Sequence, residues 1–158
     1  MFWRIEHNTR AFQMSEGQVA FVGRHKDSQI RLVTKRTSEH HGVFFVQDGL
    51  LHYIDHGKPV AEKNYYGSSN GTYQFDGKNF VRINPMNEIL VEHGDQFRMF
   101  DEVANEQGVT LENQLLKISI HRKKDENITP IGDLTPEQAA RFKNIVAGVL
   151  EKKKREQT

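Results

Sequence analysis

The sequence predicts an all-β sandwich with an α-helix appended at its C-terminus. Two kinds of signal carry this. Between residues 18 and 120, short β-rich runs recur with turn residues between them, at the spacing of about 8–12 residues that marks sandwiches and barrels. From Thr135 onward the apolar period changes from two to that of a helix.

The elements follow in order. Gln18 to Arg24 alternates around Val19, Phe21 and Val22. His41 to Gln47 holds the nearly continuous apolar run Val43-Phe44-Phe45-Val46. Asp48-Gly49 then turns the chain and Leu50 to Asp55 runs back, the strongest hairpin signal present. A two-residue Asp-Gly loop suits a type I′ turn, because both central positions need positive φ. Asp76-Gly77 is read as the same device between Thr72–Phe75 and Asn79–Ile83. Glu88–Glu92, Gln96–Phe100 and Leu115–Ile120 complete the strands. Residues 1–121 therefore form one β domain, and polar residues 122–134, with Pro130 and Gly132, read as a linker.

The expected helix spans 135–153. Thr135 is a suitable N-cap, Pro136 suits the first helical position, and Gln138 completes a capping box. Ala139, Phe142, Ile145, Val146, Val149 and Leu150 share one face. Lysines 152–154 suit the negative end of the helix dipole.

Composition narrows the function. The 158 residues suffice for one domain with a core. Twenty-two basic against 21 acidic residues exert no global pull on nucleic acid or anionic membrane. The absence of cysteine removes disulfides, thiol catalysis and Cys-based zinc sites. No apolar stretch reaches the roughly 20 residues of a membrane span, and no signal peptide is evident. A soluble intracellular protein is expected, in nucleus or cytoplasm.

One ordered set of residues points to chemistry. Gly23-Arg24 closes a strand, Ser38-Glu39-His40-His41 follows, and Ser68-Ser69-Asn70-Gly71-Thr72 comes about thirty residues later. A phosphate monoester carries close to two negative charges and three acceptor oxygens. Arg24 can fork a guanidinium onto two of them. Ser38 and Ser69 can donate hydroxyl hydrogen bonds, and backbone N–H groups near Glu39 can add more. Asn70 can donate to and accept from an extended backbone at once. Gly71 permits a tight bend.

The set resembles the forkhead-associated domain, a family that binds phosphothreonine peptides, over about residues 1–121. The resemblance implies an eleven-strand β-sandwich with its binding loops at one end. It implies that Arg24, Ser38 and Ser69 contact the phosphate, that Glu39 lies beside it, and that Asn70 binds the peptide main chain. Gly23, His41, Ser68, Gly71 and Thr72 shape the loops, and Gly94-Asp95 with Phe97 looks like the family's late Gly-Asp. The family prefers phosphothreonine through a small methyl pocket.

Three positions depart from the family pattern. Glu39 stands where Arg, Lys or Asn is frequent, and a carboxylate aimed at the phosphate would repel it. Tyr65 replaces a frequent Asp, and Gln74-Phe75-Asp76-Gly77 is one residue longer than the family's Val-Asn-Gly.

Other readings are weaker. His40 and His41 are adjacent, so in a strand they face opposite ways and do not share a metal. His52 and His56 lie in a strand and turn. Asp95 and Asp101 form no acid–base pair with a recognisable nucleophile. The expected protein is therefore no enzyme and needs no cofactor. Its partner is a phosphothreonine-containing protein or peptide, which implies an upstream Ser/Thr kinase in signalling or complex assembly. Specificity is expected from the acidic loop holding Asp101, Glu102, Glu106 and Glu112, favouring a basic or neutral third residue after the phosphothreonine. A second reading makes the sandwich a scaffold and gives partner binding to the face Phe142, Ile145, Val149. Binding of nucleic acid through the basic runs at 122–124 and 152–155 is the weakest reading.

Overall fold

The computed structural model describes residues 1–60, 64–100, 110, 114–122 and 128–157. The first elements are β1 (Phe2–His7), β2 (Arg10–Met14), β3 (Val19–Gly23), β4 (Ile30–Arg31), β5 (Gly42–Gln47), β6 (Leu50–Asp55), β7 (Pro59–Val60) and β8 (Asn64–Tyr65). Then come β9 (Tyr73–Phe75), β10 (Phe80–Arg82), β11 (Ile89–Val91), β12 (Gln96–Arg98), β13 (Leu116–His121), β14 (Thr129–Pro130) and the helix α1 (Pro136–Glu156). They build a seven-stranded sheet ordered β10-β9-β12-β13-β1-β2-β14 and a five-stranded sheet ordered β11-β6-β5-β3-β4, with β7-β8 as a small ribbon. The result is the expected β-sandwich plus helix, with fourteen short strands among the described residues.

The hairpin β5–β6 pairs Gln47 with Leu50, and Asp48 and Gly49 take φ of 55° and 75°. Those positive values are what a type I′ turn demands. Asp76-Gly77 behaves differently. Residues 76–79 form a longer loop in which the Asp76 carboxylate accepts from the N–H groups of Lys78 and Asn79. The carboxylate substitutes for backbone partners, so no two-residue turn is needed.

Strands β1 and β2 form a hairpin that the sequence reading did not single out. Trp3, Ile5, Phe12 and Met14 point inward while Arg4, Glu6 and Gln13 lie on the other face. The inward residues meet Phe44, Val46, Leu51, Tyr53, Phe97 and Leu116 in the main core. The stretch expected as a linker is partly built into the sandwich. Thr129–Pro130 pairs in parallel with β2, and Ile131 is buried in the core.

Helix α1 begins at the expected cap. Gln138 N–H donates to Thr135 Oγ1, and Thr135 N–H donates to Gln138 Oε1. The apolar face lies on the outer surface of the five-stranded sheet. Ile145 and Val149 pack with Phe21, Val43, Phe45 and Ile54, and the Phe142 ring meets Phe45 edge-on at 5.2 Å. This explains the continuous run Val43–Val46: alternate residues face the main core and the helix, so both faces are apolar. Lys152 fastens the far end, donating to the Pro85 carbonyl and to Asn87 Oδ1.

Candidate functional site

Three connections converge at one end of the sandwich. They are the segment after β3 from Arg24, the segment 34–41 before β5, and the segment 66–72 before β9. Their approach begins with a glycine. A Cβ at Gly23 would lie 2.1 Å from the Glu39 carbonyl oxygen, so only glycine lets β3 run this close to the next segment. Backbone bonds then zip the two together: Arg24 N–H donates to Ser38 O and His25 N–H to Glu39 O.

The Arg24 side chain is half-buried, and its Nε donates to the Thr37 carbonyl at 3.0 Å. This fixes the stem and leaves the terminal amino groups for another partner. Among the described residues no carboxylate pairs with Arg24. Ser38 Oγ accepts from Ser69 N–H at 3.1 Å, so its own hydroxyl hydrogen remains to be donated. Ser69 is exposed beside it.

Asn70 differs from expectation in one respect. Its Nδ2 donates to the Arg36 carbonyl at 2.7 Å, so the side chain ties two segments together. The Oδ1 atom and the second Nδ2 hydrogen stay open to a ligand. Gly71 follows with φ of 85°, the left-handed conformation expected of its bend. The Glu39 carbonyl, by contrast, belongs to the loop structure, and its side chain is exposed.

Beneath the loops lies a buried polar chain. Ser38 N–H donates to His41 Nδ1 at 3.2 Å, which assigns the imidazole proton to Nε2. Nε2 then donates to Thr72 Oγ1 at 3.0 Å. Thr72 in turn meets the Tyr53 hydroxyl at 2.9 Å, which donates to Met99 Sδ. His41, Tyr53 and Thr72 are fully buried. Burial holds the His41 pKa down at about 4, against weaker opposing effects of Asp55 and the Gly71 carbonyl. His41 is therefore neutral at pH 7 and works as a fixed donor–acceptor strut.

Sequence reasoning missed Asp55. At the end of β6 its buried carboxylate accepts from Ser68 N–H at 2.6 Å and from Ser68 Oγ at 2.8 Å. The brace of the 66–72 segment thus comes from a strand end, while Tyr65 is buried against His56. Thr37 was also missed. Its hydroxyl is buried with no hydrogen-bond partner among the described residues, one residue before Ser38.

Other candidates lie elsewhere. Asp95 braces a turn, accepting from Glu92 N–H and Gln74 Nε2. The His52 ring stacks on Phe45. Among the described residues no cluster of three acidic or histidine side chains is arranged to hold a metal. No helix there is long and apolar enough to cross a membrane. Asp101, Glu102, Glu106 and Glu112, expected to read the ligand, lie outside the described residues.

The family model described as FHA domain matches residues 20–99, half of the chain, and spans every residue of the converging loops. The chain belongs to the forkhead-associated domain family. Solved FHA domains share the fold at low identity. The FHA domain of human APLF, in complex with an XRCC1 bisphospho peptide, is 14% identical with a TM-score of 0.53. That alignment covers 77% of this chain and 100% of the other. The FHA-1 domain of Rv1747 from Mycobacterium tuberculosis is 16% identical with a TM-score of 0.51, covering 77% of this chain and 97% of its own. A domain solved for the study of phosphothreonine-dependent FHA interactions is 17% identical with a TM-score of 0.50, covering 78% and 100%. No curated protein matches in sequence. FHA domains are protein-interaction modules, and in this one helix α1 lies beyond the matched residues.

Proposed function

We propose that this FHA domain binds phosphothreonine-containing segments of a partner protein and catalyses no reaction. The observation that carries the reading is the half-buried Arg24, whose stem is fixed on the Thr37 carbonyl and whose guanidinium pairs with no carboxylate among the described residues, on the segment next to Ser38, which Ser69 in turn meets. A cation held in place without a counter-ion among the described residues, near hydroxyl donors, suits a doubly charged phosphate. Arg24 supplies the charge, Ser38 and Ser69 the neutral donors, and Asn70 the grip on the ligand backbone. Gly23, His41, Ser68, Gly71 and Thr72 hold the loops. Glu39 lines the rim with its carboxylate in solvent, so it tunes affinity without blocking the site. A Ser/Thr kinase acting on the partner controls the interaction.

The alternative of a phosphate-independent helix interface gains no support from α1. The residues on which it rested, Phe142, Ile145 and Val149, pack on the domain's own sheet.

An array of degenerate peptides carrying phosphothreonine, phosphoserine or unmodified threonine tests the proposal. Retention of phosphothreonine peptides alone supports it; equal retention of all three overturns it.

A further inference from the structure

Helix α1 is fastened to the Arg24 segment by one buried side chain. Gln138 is 3% exposed and all its polar groups are engaged. Its Oε1 accepts from Thr135 N–H at 3.0 Å, closing the capping box, and from Gln29 Nε2 at 2.8 Å. Its Nε2 donates to the carbonyl of Asp27 at 2.8 Å, a contact between residues 111 positions apart. Gln29 extends the link, since its Oε1 accepts from Phe21 N–H in β3. Asp27 is in turn joined to the turn that follows Arg24: its N–H donates to His25 Nδ1, and Ser28 N–H donates to the His25 carbonyl. A second contact runs in parallel. Arg141 lies over the Phe21 ring at 5.6 Å and meets His40 Nδ1 at 3.4 Å, and the His40 ring stacks on His25 at 4.8 Å.

We propose that Gln138 is a positioning residue for the phosphate site, so that docking of α1 and binding of phosphopeptide favour one another. The inference rests on the reading above. The helix lies outside the matched family residues, yet it supplies a donor that holds the Asp27 carbonyl of the Arg24 turn. With an acceptor in place of the buried Gln138 donor, the Asp27 carbonyl is repelled rather than held, and the turn relieves the repulsion by moving toward solvent. Because the coupling is thermodynamic it is reciprocal: whatever steadies the turn steadies the helix start.

Gln138→Glu separates the two roles of the residue. A glutamate keeps the acceptor of the capping box and suits a helix N-terminus, but it has no donor for Asp27. Gln29→Glu is the second variant. It keeps the acceptor for Phe21 N–H and loses the donor to Gln138, without touching the helix itself. Both are made in the full chain and read in two ways. The first is affinity for a degenerate phosphothreonine peptide pool and its unphosphorylated twin. The second is hydrogen exchange of residues 24–28 and 137–139, free and with the pool.

The expected result is a loss of phosphopeptide affinity of about two- to tenfold, the factor associated with one lost intramolecular hydrogen bond. Exchange should rise at 24–28 in the free variants, and the pool should protect 137–139 in wild type more than in the variants. Wild-type affinity with unchanged exchange at 24–28 overturns the proposal, as does a uniform rise across the domain with affinity unaltered. A wild-type chain blind to phosphate overturns the function proposed above, and exchange at 24–28 still decides whether Gln138 positions the turn.

Discussion

His41 Nε2 stands 3.0 Å from Thr72 Oγ1, and this bond joins the Ser38 and Ser69 segments beneath the site. It is buried, and Thr72 also serves the Tyr53 hydroxyl. Thr72→Val preserves shape, strands His41 Nε2 and leaves the Tyr53 hydroxyl with Met99 Sδ. Removing one partner of a buried polar pair costs about 1–3 kcal/mol. A denaturant midpoint lowered by that amount at unchanged m-value checks the strut.

Neutral burial of histidine makes stability depend on pH. Burial, ahead of smaller influences, holds both His41 and His56 down at about 4, below the ordinary 6.5. A group whose folded pKa is depressed takes up its proton more readily when unfolded. Stability is therefore full above pH 6.5 and falls as pH drops from 6.5 toward 4. The limit is roughly 3 kcal/mol per histidine. Urea melts at pH 7.5, 6, 5 and 4 should show this fall, and His41→Gln should flatten its share. A flat profile in wild type contradicts the strut.

Asp55 braces Ser68 through both carboxylate oxygens. Asp55→Ala leaves the Ser68 N–H buried without a partner, at about 1–3 kcal/mol. Accelerated hydrogen exchange at residues 67–70 would locate the damage, because the lost brace serves that segment.

Thr37 offers a change in the opposite direction. Its buried hydroxyl has no partner among the described residues, and valine has nearly the same shape. Thr37→Val should hold stability or raise it by up to about 1 kcal/mol, since no hydrogen bond is lost and a desolvation cost is removed. A clear drop in melting temperature would show that the hydroxyl is engaged.

Ile145 tests the helix. It is fully buried between α1 and the five-stranded sheet. Ile145→Ala should cost about 2–4 kcal/mol, a large part of a typical domain's stability. A helix merely resting on the sandwich would melt separately at little global cost.

Much of this architecture was legible in sequence because local signals carried it. Asp48-Gly49 fixed the β5–β6 hairpin through its demand for positive φ, and Thr135-Pro136-Glu137-Gln138 marked the helix start. The apolar run Val43–Val46 also announced a strand buried on both faces, though not what covered its second face. The β1–β2 hairpin was readable in the alternation of Trp3, Ile5, Phe12 and Met14 but carries no Asn-Gly or Asp-Gly turn. What escaped depends on distant neighbours. Thr129–Pro130 becomes a strand only because β2 lies beside it. Asp55 looks like an ordinary polar residue until the fold brings Ser68 to it, and Gln138, legible as a cap residue, reveals its bond to Asp27 only in three dimensions. For the site, order and spacing pointed to Arg24, Ser38, Ser69 and Asn70, whereas the Asn70 bond to Arg36 appears only in three dimensions.

Calorimetric titration of wild type and Arg24→Ala with the tightest phosphothreonine peptide from the array, and with its unphosphorylated twin, comes first. Binding of the phosphorylated peptide alone, weakened at least about a hundredfold by loss of the charge-assisted bonds in Arg24→Ala, is the expected result. Equal binding of both peptides, or an Arg24→Ala chain that binds like wild type, would contradict a phosphate site built on Arg24.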